Sequence, residues 1–206
     1  MKNLFLTSSF CDVAQHLENF CGFELIGKTV CFIPTASIVE EYTLYVENDK
    51  KAFEDLGIIV NILHINQSSE EEITIALNEN DIIYISGGNT FYLLQELRKT
   101  KTDQKIIKQI NNGKLYIGAS AGSMILSPDL NYIKELDNPE KAKDLTNFKG
   151  LNVIDFYPLP HFGNQPFTEI VNKIYNENKD LLHLIPISNS QVIAIKNNEM
   201  NILGDN

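Results

Sequence analysis

Five short runs rich in β-branched and aromatic residues, at residues 3–7, 29–33, 58–63, 81–85 and 114–118, alternate with amphipathic segments at residues 12–20, 40–56, 69–77, 90–98 and 102–111. Most of the runs are nearly continuous in apolar side chains, as strands covered on two faces tend to be. In the second amphipathic segment Tyr42, Tyr45, Phe53 and Leu56 recur at roughly helical spacing, and Gly57 is a natural helix stop. A β-α-β-α order with short connections predicts an α/β fold, a mostly parallel sheet with helices on both faces. Ligands on such sheets bind at the carboxyl ends of the strands, where the fourth and fifth runs deliver glycines. Beyond Pro128 the pattern weakens. Residues 129–149 are polar and charged, a surface excursion that is helical from Pro139. Strand character resumes at Val153-Ile154-Asp155-Phe156, residues 166–176 read as a helix, and apolar runs near Leu184 and at residues 191–195 lead through an Asn197-Asn198 turn to a last short strand.

With 206 residues, 43% of them hydrophobic and spread along the whole length, one core is feasible, and a single domain over residues 1–206 is expected. The formal charge is 17 minus 27, or −10, with no stripe of Lys or Arg, which argues against nucleic acid or an anionic membrane surface as partner. Only Leu4, Phe5 and Leu6 precede polar Thr7-Ser8-Ser9, too short an apolar stretch for a signal peptide, so a soluble cytoplasmic protein is expected. Cys11, Cys21 and Cys31 form no Cys-x-x-Cys pair and no cluster with histidine at zinc-ligand spacing. They read as reduced, buried, small hydrophobes, with no metal site.

The feature that carries chemistry is Gly118-Ala119-Ser120-Ala121-Gly122, at the end of an apolar strand and the start of a helix. With 11 glycines and 11 serines in 206 residues, chance supplies only about 0.03 Gly-x-Ser-x-Gly matches. A serine in so tight a strand-to-helix turn is held in a strained conformation, and small neighbours let adjacent backbone pass close by. The turn also puts the hydroxyl beside free N–H groups, among them that of Ala121, a natural oxyanion donor. The turn Ser86-Gly87-Gly88-Asn89-Thr90 on the preceding strand offers a second donor, the Gly88 N–H, with Gly87 and Asn89 beside it as substrate-binding candidates. The competing reading of that turn is a plain connection in which Asn89 or Thr90 caps the helix.

Serine needs a base. Of His16, His64, His161 and His183, the third sits in Tyr157-Pro158-Leu159-Pro160-His161-Phe162-Gly163-Asn164, where two prolines and a glycine fix a loop, suiting a side chain that must be aimed.

Phe32-Ile33-Pro34-Thr35-Ala36, Gly87-Gly88-Asn89-Thr90, the serine turn and Pro160-His161-Phe162, in this order, resemble peptidase family S51, which contains dipeptidase E and cyanophycinase. The resemblance implies a fold like that of class I glutamine amidotransferases and a serine-type peptidase acting on small peptides, with N-terminal Asp one substrate option. It also implies Ser120 as nucleophile, His161 as base, Gly88 and Ala121 as oxyanion donors, and no cofactor. An acid should orient the histidine. Asp137, between serine and histidine, is the first candidate; the position after the late strand holds Asn197, an amide that orients without supplying charge. The arginine expected to clamp a substrate carboxylate is not evident near His161. Two rivals stand beside this reading: an esterase-type hydrolase with its acid in residues 129–155, and a ligand-binding protein with a weakened triad. The oligomeric state is open, a homodimer included.

Overall fold

The computed structural model describes residues 1–197 and 199–205. In chain order it runs β1 (Asn3–Thr7), α1 (Leu17–Cys21), β2 (Thr29–Ile33), α2 (Leu44–Asp55), β3 (Ile59–Ile62), α3 (Glu70–Glu79), β4 (Ile82–Ile85), α4 (Thr90–Lys99), α5 (Thr102–Asn111), β5 (Leu115–Ala119), the single turn α6 (Ala121–Met124), β6 (Tyr157–Leu159), α7 (Thr168–Asn178), β7 (Leu184–Pro186), β8 (Val192–Lys196) and β9 (Glu199–Leu203). Seven strands form one sheet in the order β3-β2-β4-β5-β1-β8-β9. The first five in that order are parallel to their neighbours, whereas β8 is antiparallel to β1 and to β9.

Alternation along the strands sorts the core into two layers. Leu4, Leu6, Ile83, Ile85 and Tyr116 pack with Ile73 of α3, Leu94 of α4, Ile106 of α5 and Val171 of α7. Phe5, Val30, Phe32, Tyr84 and Ile117 face the other side, against Leu17 of α1 and Phe53 of α2. This is the expected α/β architecture, a mostly parallel sheet covered on both faces. Local signals explain the helix ends. Ser69 Oγ accepts from Glu72 N–H while the Glu72 carboxylate accepts from Ser69 N–H, a capping box that starts α3.

Four expectations need correction. The segment at residues 40–56 is helical only from Leu44, because a 3₁₀ turn at Thr35–Val39 and a short extended stretch precede α2; its Tyr42 is 67% exposed while Phe53 is fully buried. The third strand is a sheet edge, with Ile59 and Ile62 about half exposed. Val153-Ile154-Asp155-Phe156 makes no strand: Val153, Ile154 and Phe156 fill the core, and the strand begins at Tyr157, pairing with β7 in a separate two-stranded sheet. Residues 129–149 carry two 3₁₀ turns, Asn131–Ile133 and Pro139–Lys141. Asn198, second residue of the turn expected before the last strand, lies outside the described residues. The three cysteines are free, and burial raises each thiol pKa, to about 11 for Cys21 and about 12 for Cys31.

Candidate active site

The carboxyl ends of β1, β4 and β5 lie side by side, and the turns leaving β4 and β5 carry Gly87-Gly88 and Ser120. Ser120 has φ 46° and ψ −103°, a conformation that L-residues rarely adopt. The surroundings enforce it. Ser120 N–H donates to Thr7 O at 2.9 Å, its carbonyl accepts from Ser123 and Met124 N–H, and the Ser123 hydroxyl lies 2.8 Å from both Thr7 O and Gly118 O. The flanking glycines are there for close approach. A β-carbon on Gly118 would stand 2.4 Å from Gly122 O, and one on Gly122 would stand 2.2 Å from Ile85 O. Ala119 and Ala121 are buried while Ser120 between them stays partly open to solvent.

His161 also sits at positive φ, 63°, in the loop after β6. Its N–H donates to Ser8 Oγ at 3.0 Å, and the Ser8 hydroxyl in turn donates to Ile187 O, tying the loop to the end of β1. The ring stacks on Phe167 with centroids 4.6 Å apart. Nε2 is 2.9 Å from Ser120 Oγ, and Nδ1 is 2.9 Å from Asn189 Oδ1. With Nδ1–H donating to the Asn189 carbonyl oxygen, Nε2 carries the lone pair and accepts from the serine hydroxyl. Asn189 is itself aimed, because its N–H donates to Asn164 Oδ1 at 2.8 Å. Burial pushes the His161 pKa below its ordinary value and the Asn189 hydrogen bond opposes this only in part, so the ring is neutral near pH 7.

The backbone N–H groups of Gly88 and Ala121 have no acceptor among the described residues. Gly88, at φ 130°, passes so close to the 3₁₀ turn that a β-carbon would stand 2.2 Å from Ala36 O. A β-carbon on Gly87 would stand 3.5 Å from Ser120 Cβ, so its absence keeps space open beside the hydroxyl. A neutral imidazole, a strained serine and unpartnered N–H donors together can move a proton, attack a carbonyl and hold the resulting charge.

A family model for peptidase family S51 matches residues 4–203. The chain belongs to peptidase family S51. Among curated relatives of this S51 peptidase, "Uncharacterized peptidase Lmo0363" of Listeria monocytogenes is 52% identical over 97% of each chain, and "Uncharacterized peptidase PM1590" of Pasteurella multocida is 46% identical over 100% of this chain and 99% of that one. "Peptidase E" of Haemophilus influenzae is 33% identical over 79% of this chain and 74% of its own. A solved Listeria monocytogenes EGD-e structure superposes with a TM-score of 0.95 at 51% identity over the whole of both chains.

The other expected site residues of this S51 chain fall elsewhere. Asp137 does not touch His161. Its carboxylate accepts from Thr90 N–H at 2.8 Å at the start of α4, and desolvation pushes its pKa up to about 6. Asn89 caps the same helix, accepting from Tyr92 N–H and donating to Asn138 O. Asn197 follows β8 at the far end of the sheet, since β8 runs antiparallel and its residue Lys196 pairs with Asn3 at the start of β1. Asn189, at the site, comes before β8, where Val192 pairs with Thr7. The polar trio Ser188-Asn189-Ser190 was the signal in the sequence, readable only once the strand direction is known. Among the described residues no helix is long and apolar enough to cross a membrane.

Proposed function

We propose that this chain is a serine-type peptidase that hydrolyses small peptides through an acyl-enzyme on Ser120, with His161 as the general base and Asn189 as its orienting group. The observation that carries the reading is the continuous chain of hydrogen bonds Ser120 Oγ, His161 Nε2, His161 Nδ1, Asn189 Oδ1, built on two residues held at positive φ. His161 takes the hydroxyl proton as Oγ bonds to the scissile carbonyl carbon. The carbonyl oxygen becomes an oxyanion between the N–H groups of Gly88 and Ala121. His161 then passes its proton to the leaving amine, and the C–N bond breaks. A water gives a proton to His161 and attacks the ester carbon, and His161 passes that proton to Ser120 Oγ as the acyl C–O bond breaks, releasing the acid and the free serine. Asp137 and Asn89 support this from behind by fixing the start of α4 and with it the Gly87-Gly88 turn. No cofactor enters the scheme.

The esterase order, with an acid between serine and histidine, finds no support in the geometry, because the Nδ1 partner follows His161 in the chain. The neutral amide of Asn189 does favour slow turnover. In a serine protease triad, Asp to Asn costs about 10⁴ in kcat. A dipeptide library assay that includes N-terminal Asp substrates, on wild type and Ser120→Ala, tests the proposal. Hydrolysis should be confined to the wild type; equal hydrolysis by the variant contradicts it.

A further inference from the structure

Phe167 closes the loop that carries His161, and successive turns bring its ring back over the imidazole. Asn164 N–H donates to His161 O at 3.0 Å, Phe167 N–H donates to Asn164 O at 3.0 Å, and Val171 N–H, in the first turn of α7, donates to Phe167 O at 2.9 Å. Val171 and Ile174 are buried and seat that helix in the core. Phe167 itself is 36% exposed and lies outside both buried layers. It meets the flat face of His161, with centroids 4.6 Å apart and planes 27° from parallel. Hydrogen bonds at Nε2 and Nδ1 fix the line through the two nitrogens and leave the ring free to turn about it; a stacked ring removes that freedom.

Stacking acts on charge as well. The face of a phenyl ring is the negative pole of its quadrupole and attracts a cation held within about 6 Å of its centroid. His161 becomes such a cation when it takes the Ser120 proton. The groups around it bring no charge to balance that step. Nδ1 meets the neutral amide of Asn189, Asp137 is bound at Thr90 N–H, and Glu169 in the first turn of α7 is exposed. Burial and the Asn189 hydrogen bond act on the His161 pKa, with no charged side chain among the causes.

We infer that Phe167 is a positioning residue of this site, its ring face holding the imidazole plane and stabilising the imidazolium that forms in the transition state, a part that a carboxylate behind the histidine would otherwise play. This rests on the serine-peptidase reading of Ser120 and His161. Leucine in place of Phe167 keeps an apolar cover over the imidazole but has no π face, so it separates charge stabilisation from the exclusion of water.

The test has one arm without turnover and one with it. His161 is titrated through the NMR signals of its ring protons in Ser120→Ala and in Ser120→Ala/Phe167→Leu, the signal being assigned by its loss in His161→Gln. The added Phe167→Leu change should lower the His161 pKa by about one pH unit, because the charged ring loses its partner while the cover stays. In the active enzyme, with the best dipeptide of the library assay, Phe167→Leu should lower kcat about tenfold and leave KM within about twofold. Phe167→Tyr, which restores the ring face, should rescue most of that loss. A His161 pKa unchanged or raised by Phe167→Leu, a kcat unaffected by it, or an equal loss in Phe167→Tyr overturns the inference. Turnover that persists in Ser120→Ala, or no dipeptide hydrolysis by wild type, instead overturns the peptidase reading beneath it, and the titration still decides whether Phe167 stabilises the imidazolium.

Discussion

At the amino ends of the parallel strands, Lys114 Nζ donates to the carbonyls of Leu77, Asn78 and Asn80, at 2.5, 2.9 and 2.6 Å, closing the last turn of α3. Nearby Lys196 donates to Phe20 O and Cys21 O, and Asp81 accepts from Thr29 N–H and its hydroxyl. At the carboxyl ends Ser120 is held at φ 46° and ψ −103°, the hydroxyls of Tyr45, Thr35 and Thr90 have no partner among the described residues, and Asp137 keeps a desolvated carboxyl. The amino end also holds two concavities of about 320 and 420 Å³, which share Phe20 and Lys196, yet its polar groups are largely matched to one another. Volume alone would point away from the proposed site. Strain and unmatched polarity point toward it, because a serine that is to react, as proposed, must be held where its neighbours leave groups free for substrate.

Substitutions at the two ends should therefore differ in kind. The largest effect belongs to Ser120→Ala, which should cost on the order of 10⁴ or more in kcat with the melting temperature within a few degrees of wild type. Asn189→Ala comes next, with a loss of about 10 to 100-fold in kcat as His161 loses its orientation, and Asn189→Asp should raise kcat above wild type by adding charge behind the imidazolium. A steady-state comparison of these with Asp137→Asn, which should keep kcat within about threefold, decides which residue stands behind the histidine. For Asp137 the folded pKa of about 6 exceeds its unfolded value. Its carboxyl thus stabilises the fold at low pH, and that contribution is lost as pH rises through 6. Denaturation at pH 8 should then find Asp137→Asn at least as stable as wild type. The smallest functional effect is at the amino end, where Lys114→Met should lower stability by about 1–3 kcal/mol and leave kcat/KM unchanged. A large loss of activity there would break the contrast.

Protonation offers a graded version of the same comparison. In the proposed mechanism His161 acts when neutral, and burial lowers its pKa from the ordinary 6.5. kcat/KM should rise with pH and reach its plateau by about pH 7. A midpoint above 7 would mean that the ring is not in the desolvated position described.

The sequence made β1 and β2 legible to the residue, and α5 as well, because each is a short periodic segment bounded by turn residues. The serine turn, the Gly88 turn and His161 were legible for a related reason: their chemistry depends on small residues and fixed loops that the chain must spell out locally. The partner of His161 depends instead on strand direction. An apolar run such as Val192–Lys196 reads the same parallel or antiparallel, so nothing within it says whether the end that reaches His161 is the one followed by Asn197 or the one preceded by Asn189. Charge singles out Asp137 in the sequence, but a desolvated carboxylate settles where a backbone donor is free, here Thr90 N–H.

The most direct measurement is intact-mass analysis of wild type and Ser120→Ala after exposure to a fluorophosphonate probe, with peptide mapping of the modified residue. The account predicts one adduct per chain, on Ser120, formed faster as His161 loses its proton with rising pH and absent in Ser120→Ala. A folded wild-type protein that takes no label, or a label that persists in Ser120→Ala, would contradict it.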